Sequence, residues 1–152
     1  MANTATYKSK RTGDNNDMIR ILVYGLFGLL VEVAWTGTRS LLAGDWTLVA
    51  TTYLWMLPIY GVTAMALEGV HERIRPQPIW MRGSIWMLLI FSFEFFYGYL
   101  LRSEIGVCPW DYTGSPLSVD GLIRLDYAPA WFVLGLLFEH LHDHLRVFAK
   151  RF

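Results

Sequence analysis

The chain has 152 residues, of which 54% are hydrophobic, 16% aromatic and only 17% charged, against about 25% charged in an ordinary soluble domain. Formal charge balances to zero, so there is no basic stripe of the kind that neutralises phosphates, and nucleic acid is not an expected partner. The single cysteine, Cys108, excludes an internal disulfide.

Residues 1–17 are polar and carry no periodic apolar face, which predicts a solvated cytoplasmic tail. Apolar segments follow at residues 18–37, 47–69, 84–101 and 127–145. Each is near the length of about 20 residues that a helix needs to cross the hydrocarbon core. With no water at that depth every backbone amide must bond within its own segment, so all four are expected to be helices. The predicted fold is an all-α integral membrane protein: one transmembrane domain over residues 18–147, four helices in a compact bundle, an ordered outer loop between helices 3 and 4, and a basic tail at 148–152. Pro58 falls inside the second segment, where a kink is expected, with Thr51 or Thr52 available to the freed carbonyls.

The first segment is too long for a secretory signal, lacks a small-residue cleavage site and contains Glu32, so it is expected to stay. Lys and Arg number four before the first span, then one, three and two in the successive loops, and three after the last span. That alternation predicts a multi-pass protein with both termini in the cytoplasm and loop 102–126 on the opposite face.

Each span carries a carboxylate, Glu32, Glu68, Glu94 or Glu139, and a charge at mid-bilayer costs at least about 2.5 to 3.5 kcal/mol on insertion scales. Helical spacing groups Gly25, Gly28, Glu32, Trp35 and Arg39 on one face, Glu94, Gly98 and Arg102 on another, and Phe132, Gly135, Glu139, His142 and Arg146 on a third. Glycine lets backbones approach, so the acids are expected to point into a shared polar seam. The loop from Cys108 onward reads as a lid, stiffened by Pro109 and Pro116 and turned at Gly114. In it Trp110 and Tyr112 reach the interface while Asp111 completes a charge network with Arg39, Arg102 and Arg124.

Residue for residue, CPWDY, the following GLIRLDYA, the Trp-Phe pair before Glu139, the acid in LVEVAW (Glu32), PIYG at residues 58–61 and FEFFYGYLLR carry a family likeness. Over residues 24–140 the chain resembles the transmembrane protein 229 family and its bacterial relatives described as "Putative ABC-transporter type IV". The resemblance implies a compact four-helix membrane protein, and gives most weight to Glu32, Glu94, Trp110, Asp111, Tyr112, Gly121 and Glu139. Arg124 and the histidines of EHLHDH lie outside the family's motifs, and PAWF departs from the usual placement of proline directly before tryptophan.

Two readings of the acids stay open, one as proton-handling or catalytic groups and one as partners of Trp, Tyr or Arg that specify packing. His140 and His144 have the spacing of zinc ligands, but also sit where cations complement a helix C-terminus; no metal and no cofactor is expected. Cys108 reads as a packing cysteine. No Walker, Gly-x-Ser-x-Gly or His-Glu-x-x-His motif appears. The expected function is a non-catalytic accessory or structural subunit of a membrane complex, with membrane lipid and other subunits or further copies of the chain as partners. One alternative is an enzyme acting on a lipid or isoprenoid, with Glu32, Glu94 and Asp111 as acid, base or cation ligands; a second is a small transporter component, for which four helices form a cramped path unless the chain oligomerises.

Overall fold

In a computed structural model the backbone is described for residues 3–149 and the side chains for residues 17–144. Four α-helices carry the fold: α1 (Asn3–Leu42), α2 (Met56–Ile74), α3 (Ile79–Glu104) and α4 (Ala128–Ala149). Between α3 and α4 lie two short strands, β1 (Ser118–Val119) and β2 (Ile123–Arg124), and a 3-10 turn over Leu125–Tyr127. Two stretches, Asp17–Leu42 of α1 and the whole of α3, each of 26 residues, are long and apolar enough to cross a membrane; at 1.5 Å per residue each reaches about 39 Å.

The starts of α1 and α2 depart most from the expected ones. Helix α1 begins at Asn3, so the backbone of the polar stretch expected as a tail continues the first helix. The second helix begins at Met56 rather than at residue 47. Residues 48–53 have no regular structure, which suits the interface and not the hydrocarbon, where irregular backbone goes unsatisfied. Because of that later start, Pro58 sits in the first turn of α2, where its missing N–H has no intrahelical partner to lose, and no kink is needed. Thr51 is tied to α1 instead: its N–H donates to Thr36 Oγ1 and its carbonyl accepts from the same hydroxyl, both at 3.0 Å.

The chain divides into two units, Met1–Leu67 and Glu68–Phe152, with the boundary inside α2. In the first unit, α1 and the N-terminal half of α2 approach at glycines. A Cβ on Gly28 would lie 2.5 Å from the Tyr60 ring, and one on Gly25 or Gly61 would run into the backbone of Leu57 or Ile21. In the second unit α3 lies along α4. Trp86 of α3 is fully buried, and it fits because Gly135 of α4 leaves room where a Cβ would strike its side chain; Gly83 does the same for Phe132. Small residues at these crossings are what helix association in lipid requires, since lipid tails supply no hydrophobic drive.

Strands β1 and β2 pair antiparallel, Ser118 with Arg124 and Val119 with Ile123. The turn joining them places Asp120 at φ 52° and Gly121 at φ 68°. Positive φ at both central residues is the type I′ hairpin geometry that Asp-Gly favours. The ribbon thus gives the outer loop a regular frame, and its Leu122 is 1% exposed, packed against Gly98 of α3.

Candidate functional site

Each of the acids Glu32, Glu94 and Glu139 has its own set of partners. In the first unit the Glu32 carboxylate accepts from Thr52 Oγ1 at 2.7 Å and from Tyr60 Oη at 3.1 Å. The donors come from the chain just before α2 and from the first turns of α2, so Glu32 fastens that segment to α1.

In the second unit Glu94, two-thirds of the way along α3, accepts from Tyr112 Oη at 3.0 Å on one oxygen and from Trp131 Nε1 at 3.2 Å on the other. One carboxylate so joins α3, the outer loop and the first turn of α4. Around it Tyr112 meets Tyr127 edge to face, and Tyr127 meets Trp131 in the same way, with ring centres 5.8 and 5.7 Å apart. The Arg124 guanidinium stands over the Tyr127 ring at 4.5 Å and pairs with Asp126. The loop is fastened twice more: Trp110 Nε1 donates to the Leu122 carbonyl at 2.9 Å, and Arg102 Nη1 donates to the Asp120 carbonyl at 2.8 Å. Burial first, then the Glu94 carboxylate, raise the Tyr112 phenol above its ordinary value.

A denser cluster gathers where the C-terminal half of α2 meets α3 and α4. Glu139 of α4, 6% exposed, accepts from the indole N–H of Trp86 at 2.7 Å and pairs with Arg82 Nη2 at 3.3 Å. His71 of α2, 1% exposed, has Nδ1 at 3.7 Å from Glu139 Oε1 and Nε2 at 3.0 Å from Asp143 Oδ1. Arg75 donates to the other oxygen of Asp143 at 2.8 Å. Beside them His142 Nδ1 lies 3.6 Å from Glu68 Oε1, and the rings of His71 and His142 meet edge to face at 5.3 Å.

The acids of the expected seam are described within each unit. Glu94 and Glu139 sit on different partners within the second unit, and Glu32 belongs to the first. Tyr112 bonds Glu94 and Trp110 bonds the Leu122 carbonyl, and Gly121 holds the ribbon turn. Asp111 departs from the expected charge network: its side chain is exposed and accepts from the Thr113 N–H at 2.9 Å, and hydrogen bonds from Thr113 lower its carboxyl below the usual range. Aspartate two residues before a free amide favours this local turn over a longer reach to arginine. Arg39 lies in the last turn of α1, in the other unit. Arg102 and Arg124 bind a backbone carbonyl and Asp126 rather than a common acid. Within the second unit Asp111 and Glu94, two of the three acids invoked for lipid chemistry, each face their own donors.

His140 and His144 are exposed, and His144 Nδ1 donates to the His140 carbonyl at 2.7 Å, a contact that suits a helix terminus rather than a zinc ion. Asp143, between them in sequence, turns to His71 and Arg75. Among the described residues no group of three or more His, Cys, Asp or Glu is arranged to hold a metal ion.

Sequence reasoning passed over His71, Arg75, Arg82, Trp86 and Asp143. Their spacing carried a signal: Glu68, His71 and Arg75 recur at three and four, and Arg82 and Trp86 stand four apart, each set a polar stripe on an apolar helix.

No solved structure matches the chain. Residues 19–150, which contain all three clusters and the outer loop, match the family described as "Putative ABC-transporter type IV". That span is most of the protein, and the chain belongs to this family.

Proposed function

We propose that the protein is a small polytopic membrane protein that crosses the bilayer four times, through α1 to α4, and serves as a non-catalytic accessory or structural subunit of a membrane complex. Both termini lie in the cytoplasm and the loop between α3 and α4 lies on the opposite face. The observation that carries the reading is the way three acids, Glu139 buried and Glu32 and Glu94 half-buried, are engaged. Glu32, Glu94 and Glu139 each accept from side chains of this same chain: Thr52 and Tyr60, Tyr112 and Trp131, and Trp86 with Arg82. A carboxylate so occupied fixes helices and loop in one arrangement, which is what a shape-holding subunit requires. The apolar side chains left outside, among them Leu26, Leu30, Leu88, Phe96, Val133 and Leu137, suit acyl chains or neighbouring subunits.

Gentle solubilisation from native membranes, followed by sizing and identification of what co-migrates, tests this. The expected result is a complex well above 17.5 kDa whose yield falls in Glu94→Ala. A lone monomer that turns over a co-purified lipid overturns it. Membership of a transporter family favours a second reading, a small transporter component, which predicts flux in reconstituted vesicles that Glu94→Ala abolishes.

A further inference from the structure

The cluster around His71 has a feature that fixing helices does not require. An ionised Asp143 only accepts hydrogen bonds, so its 3.0 Å contact with Nε2 places a proton on that nitrogen. In a neutral imidazole Nδ1 then carries a lone pair. That lone pair would point toward Glu139 Oε1 at 3.7 Å, in a site where His71 is 1% exposed and Nδ1 has no hydrogen-bond partner among the described residues. A lone pair facing a carboxylate oxygen in a dry site is repulsive, and a proton on either atom removes the repulsion; at 3.7 Å the two atoms stand just beyond hydrogen-bond distance, and they share the proton once the side chains close to within about 3.2 Å.

Among the described residues, the charged and titratable groups around the pair are Glu68 and Arg75 of α2, Arg82 of α3, and His142 and Asp143 of α4. Glu72 and Arg73 on α2, and His140 and His144 on α4, are solvent-exposed.

We propose that the His71–Glu139 pair is a proton-binding site that exchanges with water through Asp143. Exposure is graded along the route: the side chains of Glu139 and His71 are 8% and 2% exposed and that of Asp143 is 35% exposed. In one passage the Glu139 O–H breaks as a bond forms from the proton to His71 Nδ1. The Nε2–H bond breaks and the proton joins Asp143 Oδ1, which then releases it to water. Uptake runs in reverse: water protonates Asp143 Oδ1, that proton passes to His71 Nε2, and the Nδ1 proton returns to the Glu139 carboxylate, restoring its O–H. Trp86 and Arg82 hold Glu139 in place and Arg75 holds Asp143, as positioning residues. The inference goes beyond the subunit reading and rests on none of it; finding the protein in a complex, or alone, leaves it unaffected.

The test uses the full chain, labelled with 15N-histidine and 13C-glutamate, in phosphatidylcholine vesicles and read by solid-state NMR. His71 is assigned by loss of its signal in His71→Gln. The expected result at about pH 7 is a proton on either His71 Nδ1 or the Glu139 carboxyl, and its disappearance from the ring in Glu139→Gln if the ring held it. Glu139 ionised beside a neutral His71 overturns the site. In Asp143→Asn the proton is expected to remain while its exchange with water slows by at least roughly tenfold, one decade being about 1.4 kcal/mol in barrier. Unchanged exchange overturns the route through Asp143. Glutamine and asparagine keep the shape of the acids they replace, and circular dichroism verifies that each variant is folded.

Discussion

Removing the two donors of Glu94, singly and together, separates a carboxylate that fixes the loop from one that merely lies near it. Tyr112→Phe deletes a hydroxyl at 3.0 Å and Trp131→Phe an indole N–H at 3.2 Å, each donating to a different oxygen. Side-chain hydrogen bonds between membrane helices average about 0.6 kcal/mol and reach about 1.7 kcal/mol. A half-buried carboxyl that takes a donor on each oxygen belongs in the upper half of that range, so each single change is expected to destabilise by about 1 kcal/mol. The double variant leaves both oxygens without these donors, and stranding a buried acceptor costs about 1 to 3 kcal/mol beyond the bonds themselves. The total expected is about 3 to 5 kcal/mol, more than the sum of the singles. The assay is reversible unfolding of the full chain in mild detergent micelles as a double-mutant cycle, with Glu94→Gln as the charge-free reference. Single effects that add to within about 0.5 kcal/mol of the double would refute the shared-carboxylate argument.

Three further outcomes follow from the same geometry. Because the Tyr112 phenol is raised by burial and by Glu94, the folded chain keeps a proton that the unfolded chain loses; stability is therefore intact below about pH 10 and falls as pH rises above it, and Tyr112→Phe should flatten that alkaline limb in a titration of unfolding midpoint against pH. A Cβ at Gly135 would strike Trp86, whereas one at Gly69 meets only Arg73 Nη1 at 3.8 Å; thermal unfolding should show Gly135→Ala destabilised by about 1 to 3 kcal/mol and Gly69→Ala stabilised by about 0.5 to 1 kcal/mol. In a Cys108→Ala background a membrane-impermeant maleimide added to intact cells should label Leu117→Cys in the exposed outer loop and not Gln77→Cys between α2 and α3, and the reverse pattern would invert the proposed topology.

The helical character of the chain is legible from hydropathy, because its apolar segments are long enough for helices. Helix α3 and α4 overlap their expected segments closely, and α1 overshoots its segment at both ends. The second helix was misplaced because residues 47–55 are as apolar as a span, while Thr51 and Thr52 bond α1 side chains in place of a helical ladder. The ribbon was legible in Asp-Gly between Val119 and Leu122, a signal masked by the expectation of helix alone. Of the site, the acids were visible one by one from the rarity of charge in apolar helices. Their partners were not, since which of several tryptophans meets which glutamate depends on the rotation of α3 against α4. That rotation is set by Gly83 and Gly135 receiving Phe132 and Trp86, a steric fit that periodicity does not encode.

The account rests on acids of α3 and α4 being held by indole donors away from lipid and water, and hydrogen exchange at the indole nitrogens reads this directly. In the full chain in bilayers, the Trp86 and Trp131 indole protons are predicted to exchange far more slowly than those of Trp46 and Trp80, which are 84% and 65% exposed. Glu139→Leu should release the first and Glu94→Leu the second. Exchange at Trp86 and Trp131 as fast as at the exposed tryptophans, or unaffected by loss of the acids, would contradict it.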